Sequence, residues 1–141
     1  MSNQARLRAT VGTQTAVVAA TSTTVPFNTE TFDIGSKFAT DTYRFTADEA
    51  MYVMVQASVT LAPATTWTSG AYLTISVLKS GSAQKTVRIP IVATAATDYH
   101  TLQISDMVSL ANTNYITVQV YSSVDACTIE TSSVLVIARI P

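Results

Sequence analysis

Of the 141 residues, 49 are β-branched: 24 threonines, 16 valines and 9 isoleucines. Two heavy atoms on Cβ stiffen χ1 and crowd a helical turn, yet they pack well on a pleated sheet. A chain with over a third of its residues of this kind is steered towards strands. The pattern along it agrees. Short apolar runs are separated by polar turns, at a spacing that suits a sandwich or barrel. Eight to ten strands and no helix of substance are expected.

The runs fall at Arg6–Val11, 15–19, 43–45, 51–59, 71–79, 86–92, 101–107, 115–121 and Val134–Ile140. Residues 29–41 carry Gly35 and scattered charge and read mostly as loop. Residues 62–70 hold Pro63, Trp67 and Gly70 and also read as loop. Pro90 cannot donate to a ladder, so its run is expected at a sheet edge or a bulge. Ala71, Leu73, Ile75 and Val77 alternate with Thr74 and Ser76. Ile116, Val118 and Val120 alternate with Thr117 and Gln119, and Leu102 and Ile104 with Thr101, Gln103 and Ser105. Each of these strands has one apolar and one polar face.

Two stretches are apolar on both faces, 134–138 and 51–55. A two-layer sandwich buries one face of each sheet, so such strands need a second cover. In a chain this short the expected cover is another copy of itself, through an interface resembling a divided core. The residues taken for that interface are Met51, Val53, Val55, Val134, Val136, Ala138 and Ile140. A long loop folded over the same strands is the alternative.

The length fits one domain, 1–141. Charged residues are 12% and the net charge is −1, which gives no electrostatic footprint for nucleic acid. No apolar run approaches the roughly 18 residues of a membrane span. After Arg6 and Arg8 the apolar run is only residues 16–20, too short for a secretory signal. One cysteine cannot form an internal disulfide, and one histidine with one cysteine cannot build a His/Cys metal cluster within one chain. No membrane partner, metal or cofactor is expected.

The stretch VPFNTETFDIGSKFATDTYRFTADEAMYVMVQASV resembles the opening half of a C1q-like (C1q/TNF-superfamily) domain. Phe27, Asn28, Phe32, Asp33, Phe38, Thr42, Phe45, Thr46 and Ala47 sit where that family places V-x-F-N-x-x-x-F-D, a second block and F-T-A-P. Downstream, ISVLKSGS, VSLANTNYITVQVYSS and SSVLVIARIP are similar to its strand-and-turn, its L-x-x-G-D-x-V-x-V-x-V segment and its closing strand. The resemblance spans about residues 5–141. Asp48 replaces the usual proline, Met51 the usual glycine, and Val134 and Val136 stand in a closing strand without Phe-x-Gly. The flavour is that of phage and bacterial structural proteins. The resemblance implies an all-β, antiparallel jelly roll of about ten strands, homotrimeric, with the terminal strands in the inner sheet near the three-fold axis.

Chemistry is sparse. His100 has no G-x-S-x-G elbow to serve, so it reads as a strand-edge or interface residue. Cys127 has no neighbouring cation to activate it. Asp48 and Glu49 read as a solvated turn. Asp98, Asp106 and Asp125 are the loop acids to examine for Ca²⁺, but they lack an EF-hand spacing. Trp67, among Thr65, Thr66, Thr68 and Ser69, is either a contact point for a sugar or protein or a lid over the sandwich end. The basic segment 1–8 reads as an N-terminal arm or a frayed terminus, with Arg6 and Arg8 the expected contacts to a shell.

The expectation is therefore a non-enzymatic bacteriophage structural protein. It would be a trimeric capsid decoration (cement) protein on the outer capsid surface of a virion, bound to the major capsid protein at three-fold or quasi-three-fold positions. The alternative is a trimeric receptor-binding module of a tail tip or fibre, recognising a host glycan or protein through Trp67.

Overall fold

The computed structural model describes residues 5–92 and 97–141. Among these the chain forms thirteen strands and no helix. One sheet holds β1 (Arg6–Val11), β2 (Thr15–Val17), β4 (Phe27–Ile34), β7 (Met51–Pro63), β10 (His100–Leu110), β12 (Cys127–Ile129) and β13 (Val134–Ile140). The other holds β3 (Thr23–Thr24), β5 (Phe38–Ala39), β6 (Arg44–Thr46), β8 (Tyr72–Lys79), β9 (Ser82–Pro90) and β11 (Tyr115–Ser122). Every pairing is antiparallel.

The long strand β7 organises the first sheet. β10 runs along one side of it over its whole middle, and β13 and then β12 share the other side. β13 is followed by β1 and then by β4 at the edge. The N- and C-terminal strands are thus neighbours inside the seven-stranded sheet, as the resemblance implies. The core lies between the sheets. Leu7 and Ala9 of β1, Val53 and Val55 of β7, and Leu135 and Ile137 of β13 point inward to meet Leu73, Ile75, Val77, Ile116, Val118 and Val120. Each large side chain buried this way is worth roughly 1.5–3 kcal/mol.

The sequence reading needs three corrections here. Thirteen strands replace about ten, because β2, β3, β5, β6 and β12 are two or three residues long, too short to show a period. The supposed loop over 29–41 begins with most of β4. This strand has a partner on one side only, and apart from Phe27 its side chains are exposed or half-buried, so alternation never marked it. Two register shifts bulge it against β1, a device that blunts an open edge. Finally, Arg6 and Arg8 are not on an arm. They lie within β1, between buried Ala5, Leu7 and Ala9. Residues 1–4 of the expected arm lie outside the described residues. Pro90 ends β9, an edge strand of the six-stranded sheet, in accord with expectation.

Candidate functional site

Strand phase decides what the seven-stranded sheet shows to solvent. In β7 the odd-numbered residues point inward: Met51 is 4% exposed, and Val53 and Val55 are fully buried. This corrects the expected interface, since side chains filling the core cannot also meet a second molecule. The outward set of β7 is Tyr52, Met54, Gln56, Ser58 and Thr60. On β13 the outward set is Val134, Val136, Ala138 and Ile140, all half-buried. The alternation of Gln56, Ser58 and Thr60 carried the phase signal that the all-apolar stretch 51–55 hides.

Cross-strand register arranges these residues in rows. One row runs Ile34, Arg6, Ala138, Met54, Met107 across β4, β1, β13, β7 and β10. The next runs Phe32, Arg8, Val136, Gln56, Ser105. On one side of them lie Ile140, Tyr52 and Ser109, and on the other Val134, Ser58 and Gln103. The outer face is therefore apolar towards the end where β7 begins and polar further along it.

Phe32, Ile34, Tyr52 and Met107 are 42–59% exposed. They are half of the eight large hydrophobic side chains exposed among the described residues. The other four, Val18, Val92, Tyr99 and Val124, lie in or beside loops at the opposite end of the strands. Arg6 and Arg8 stand on the same outer face, and Arg8 Nη1 donates to Thr31 Oγ1 at 2.8 Å. They stand within the rows, between the side chains of β4 and those of β13.

At the loop end, Trp67 is 4% exposed. Its Nε1–H donates to the Asp98 carbonyl at 2.7 Å, and its ring meets His100 edge-on at 5.4 Å. The lid reading holds, and Trp67 offers no free face to a sugar or partner. The loop around it is tied down on all sides. Thr68 donates its N–H and hydroxyl to the Asp125 carboxylate at 2.7 and 2.8 Å, Ala64 N–H donates to the Ala126 carbonyl, and Gly70 N–H to that of Ile91.

The remaining chemical candidates are accounted for structurally. His100 Nε2 is enclosed without a hydrogen-bond partner. Cys127 is buried, and burial first, then the Asp125 charge, pushes its thiol up to about 12. Asp48 accepts from Lys37 Nζ at 2.7 Å, a bond that holds its carboxyl below the usual range. Glu49 accepts from Arg139 Nη1 at 2.6 Å. The two adjacent acids thus face different cations and form no pair. Asp106 Oδ1 accepts the N–H of Met107 at 3.0 Å. Among the described residues, no three His, Cys, Asp or Glu side chains converge on a point where a metal ion could sit.

No family model and no curated protein matches the sequence. Solved structures do match the fold. The globular domain of zebrafish complement 1qA aligns with a TM-score of 0.67 at 10% identity, over 99% of this chain and 98% of that one. Murine APRIL, crystallised at pH 5.0, aligns with a TM-score of 0.67 at 14% identity, over 98% and 100%. The fold is a C1q/TNF-like jelly roll.

Proposed function

We propose that this jelly roll is a non-enzymatic assembly protein, a homotrimer closed by the outer face of the seven-stranded sheet, which decorates the outside of a bacteriophage capsid. The carrying observation is that face. Tyr52 and Met107 stand exposed beside half-buried Met54, Val136, Ala138 and Ile140 on adjacent strands, and exposed Phe32 and Ile34 lie across Arg6 and Arg8 on the same face. A contiguous apolar surface of this kind on a soluble domain marks an interaction site. A second and third copy supply the cover. A cyclic trimer presents three equal contacts, which suits the three-fold and quasi-three-fold positions of an icosahedral shell. Weak contacts to the major capsid protein at each subunit then add through avidity.

Two features favour assembly over catalysis. The titratable groups that could form a reacting pair are spent on structure, as the Lys37–Asp48 and Arg139–Glu49 bridges and the Asp125–Thr68 bonds illustrate. The sole cysteine is buried with its thiol protonated at neutral pH. The receptor-binding alternative relied on an exposed Trp67, and the burial of that ring removes its support.

The test is antibody–gold labelling of intact particles from the lysate in which the protein is made. Gold spread over the heads, with the protein a major band beside the capsid protein on a denaturing gel, is the expected result. Gold confined to tail ends, with a faint band, replaces decoration by receptor binding. No particle-associated gold removes the virion setting.

A further inference from the structure

Charge is divided unevenly between the two sheets. No strand of the six-stranded sheet carries Asp or Glu, yet those strands hold Arg44, Lys79, Lys85 and Arg88, half of the eight cations. The carboxylates that lie on strands, Glu30, Asp33 and Asp106, are all in the seven-stranded sheet. Strand phase then sorts the four cations. Lys79 pairs with Ile116 and Lys85 with Val77, whose side chains face the core, so neither lysine stands on the outer face. Arg44 precedes fully buried Phe45 on β6, and Arg88 pairs with Thr74, between inward Leu73 and Ile75 on β8. Both arginines therefore point outward, and both are exposed.

Each of these arginines lies on a tyrosine. Arg44 Cζ is 3.9 Å from the centroid of the Tyr115 ring, and Arg88 Cζ is 3.5 Å from that of Tyr72. Tyr121 stands beside Tyr72 with ring centroids 6.0 Å apart. Stacking uses the flat face of a guanidinium and holds it still, while its fork of N–H donors stays available in the plane. Among the described residues neither arginine forms an ion pair, not even Arg44 with Asp41 three residues before it. Tyr115 and Tyr121 are six residues apart on β11, which sets the two stacks about 20 Å apart along the strand. Between them Thr74, Ser76, Thr86 and Gln119 present hydroxyls and a carboxamide and no charge.

We propose that the outer face of the six-stranded sheet docks an acidic protein surface, one that presents Asp or Glu carboxylates to Arg44 and Arg88. Two immobilised, unpaired guanidinium forks match carboxylates bidentately. Arg and Tyr are also the side chains that dominate protein–protein contacts. The separation of the stacks is too great for a small molecule and suits a protein interface, which covers about 800 Å² of each partner. A single-stranded nucleic acid would need aromatic faces open to its bases, and here the Tyr72 and Tyr115 rings each carry a guanidinium. The trimer proposed above closes on the opposite sheet and leaves this face outward. The inference does not rest on the virion, because it names the partner by its carboxylates.

The experiment follows the arginine Nε–H signals by NMR of the ¹⁵N-labelled full chain. The probe is a glutamate-rich peptide, with an oligothymidylate and a polyuronate oligosaccharide of equal charge as rivals. The peptide is expected to shift Arg44 and Arg88 saturably, to leave Arg6, Arg8 and Arg139 unmoved, and to bind more weakly as salt is raised. Arg88→Lys keeps the charge without the stacked fork, and Arg44→Gln removes the charge. Each is expected to weaken binding about tenfold, the loss of one charge-assisted hydrogen bond. Thermal unfolding and sedimentation of both variants separate loss of the surface from loss of fold or assembly, and their placement on different strands keeps one in hand should the other fail to fold. Absence of any shift, shifts spread over every arginine, tighter binding of either rival than of the peptide, or full affinity in the folded variants overturns the proposal. The outcome is independent of gold labelling, so a failed virion setting and a failed docking face are told apart.

Discussion

Thr113 stands at φ 74° in the turn between β10 and β11. A β-branched residue in this left-handed region is strained, and glycine is the residue that suits it. The turn holds it there by force of hydrogen bonding. Thr113 N–H donates to the Ala47 carbonyl at 2.8 Å, Asn114 N–H to the Ala111 carbonyl at 3.0 Å, and Ala111 N–H to Asn114 Oδ1 at 2.8 Å. Thr113 occupies the glycine position of the L-x-x-G-D pattern that the segment resembles. Thr113→Gly is expected to raise stability by about 1 kcal/mol in urea unfolding, from relief of the left-handed strain. Cys127 makes a second prediction at this scale. Its thiol is held up to about 12 against an ordinary 9.0, chiefly by burial. Below about pH 9 the thiol is protonated in both folded and unfolded chains. As pH rises from about 9 towards 12, only the unfolded chain ionises, so stability falls over that window. A denaturation series across it checks the sign, and at pH 8 a thiol reagent should modify Cys127 only as fast as the protein opens. Trp67→Phe leaves the Asp98 carbonyl without its 2.7 Å donor and is expected to cost about 1–3 kcal/mol, measured by thermal unfolding.

At the scale of the element, the free edge of β10 shows how the sheet ends. β10 has one strand partner, β7. An open edge of eleven residues invites pairing with another chain. Here the Ser105 carbonyl is taken by Lys85, and the Met107 N–H by Asp106 Oδ1. Residues two apart in a strand direct their backbone groups to the same side, so both bonds blunt the same edge. Asp106→Ala is expected to increase concentration-dependent light scattering with little change in unfolding temperature. The strands that could be read in advance are those with one core face. Tyr115–Ser122 is placed within a residue because Ile116, Val118 and Val120 alternate with Thr117 and Gln119, and Val134–Ile140, though apolar on both faces, is placed as read because its β-branched run is bounded by the polar residues before it. β4 was illegible, since a bulged edge strand with polar residues on both sides leaves no period. The phase of β7 was misread for a related reason. Residues 51–55 are apolar at every position, and only Gln56, Ser58 and Thr60 beyond them reveal which side faces out. Trp67 was ambiguous because its burial depends on a carbonyl 31 residues away.

On the scale of the whole molecule, the exposed apolar side chains divide the surface into two regions. One is the apolar part of the seven-stranded sheet, and the other is the loop end around the tethered Trp67 loop. The sheet face is apolar without a break across β13, β7 and β10, from Ala138 to Met107, and Arg6 and Arg8 of β1 separate it from Phe32 and Ile34 on β4, whereas the loop-end residues come singly from separate connections. Sequence made the need for a cover visible through the doubly apolar closing strand. It did not reveal the contribution of β4 and β10, which arises only when register sets Phe32, Ile34 and Met107 in line with Val136, Ala138 and Met54. Arg6 and Arg8 fall in these same rows, between the side chains of β4 and β13. If three copies close over this face, one buried charge should open it. Sedimentation equilibrium of the protein at micromolar concentration, alone and as Met54→Glu, tests this most directly. The expected result is a mass three times the 15.0 kDa chain for the natural sequence, and a single chain for the variant. A natural sequence that sediments as one 15.0 kDa chain, or a folded Met54→Glu that stays trimeric, would contradict assembly through the outer face.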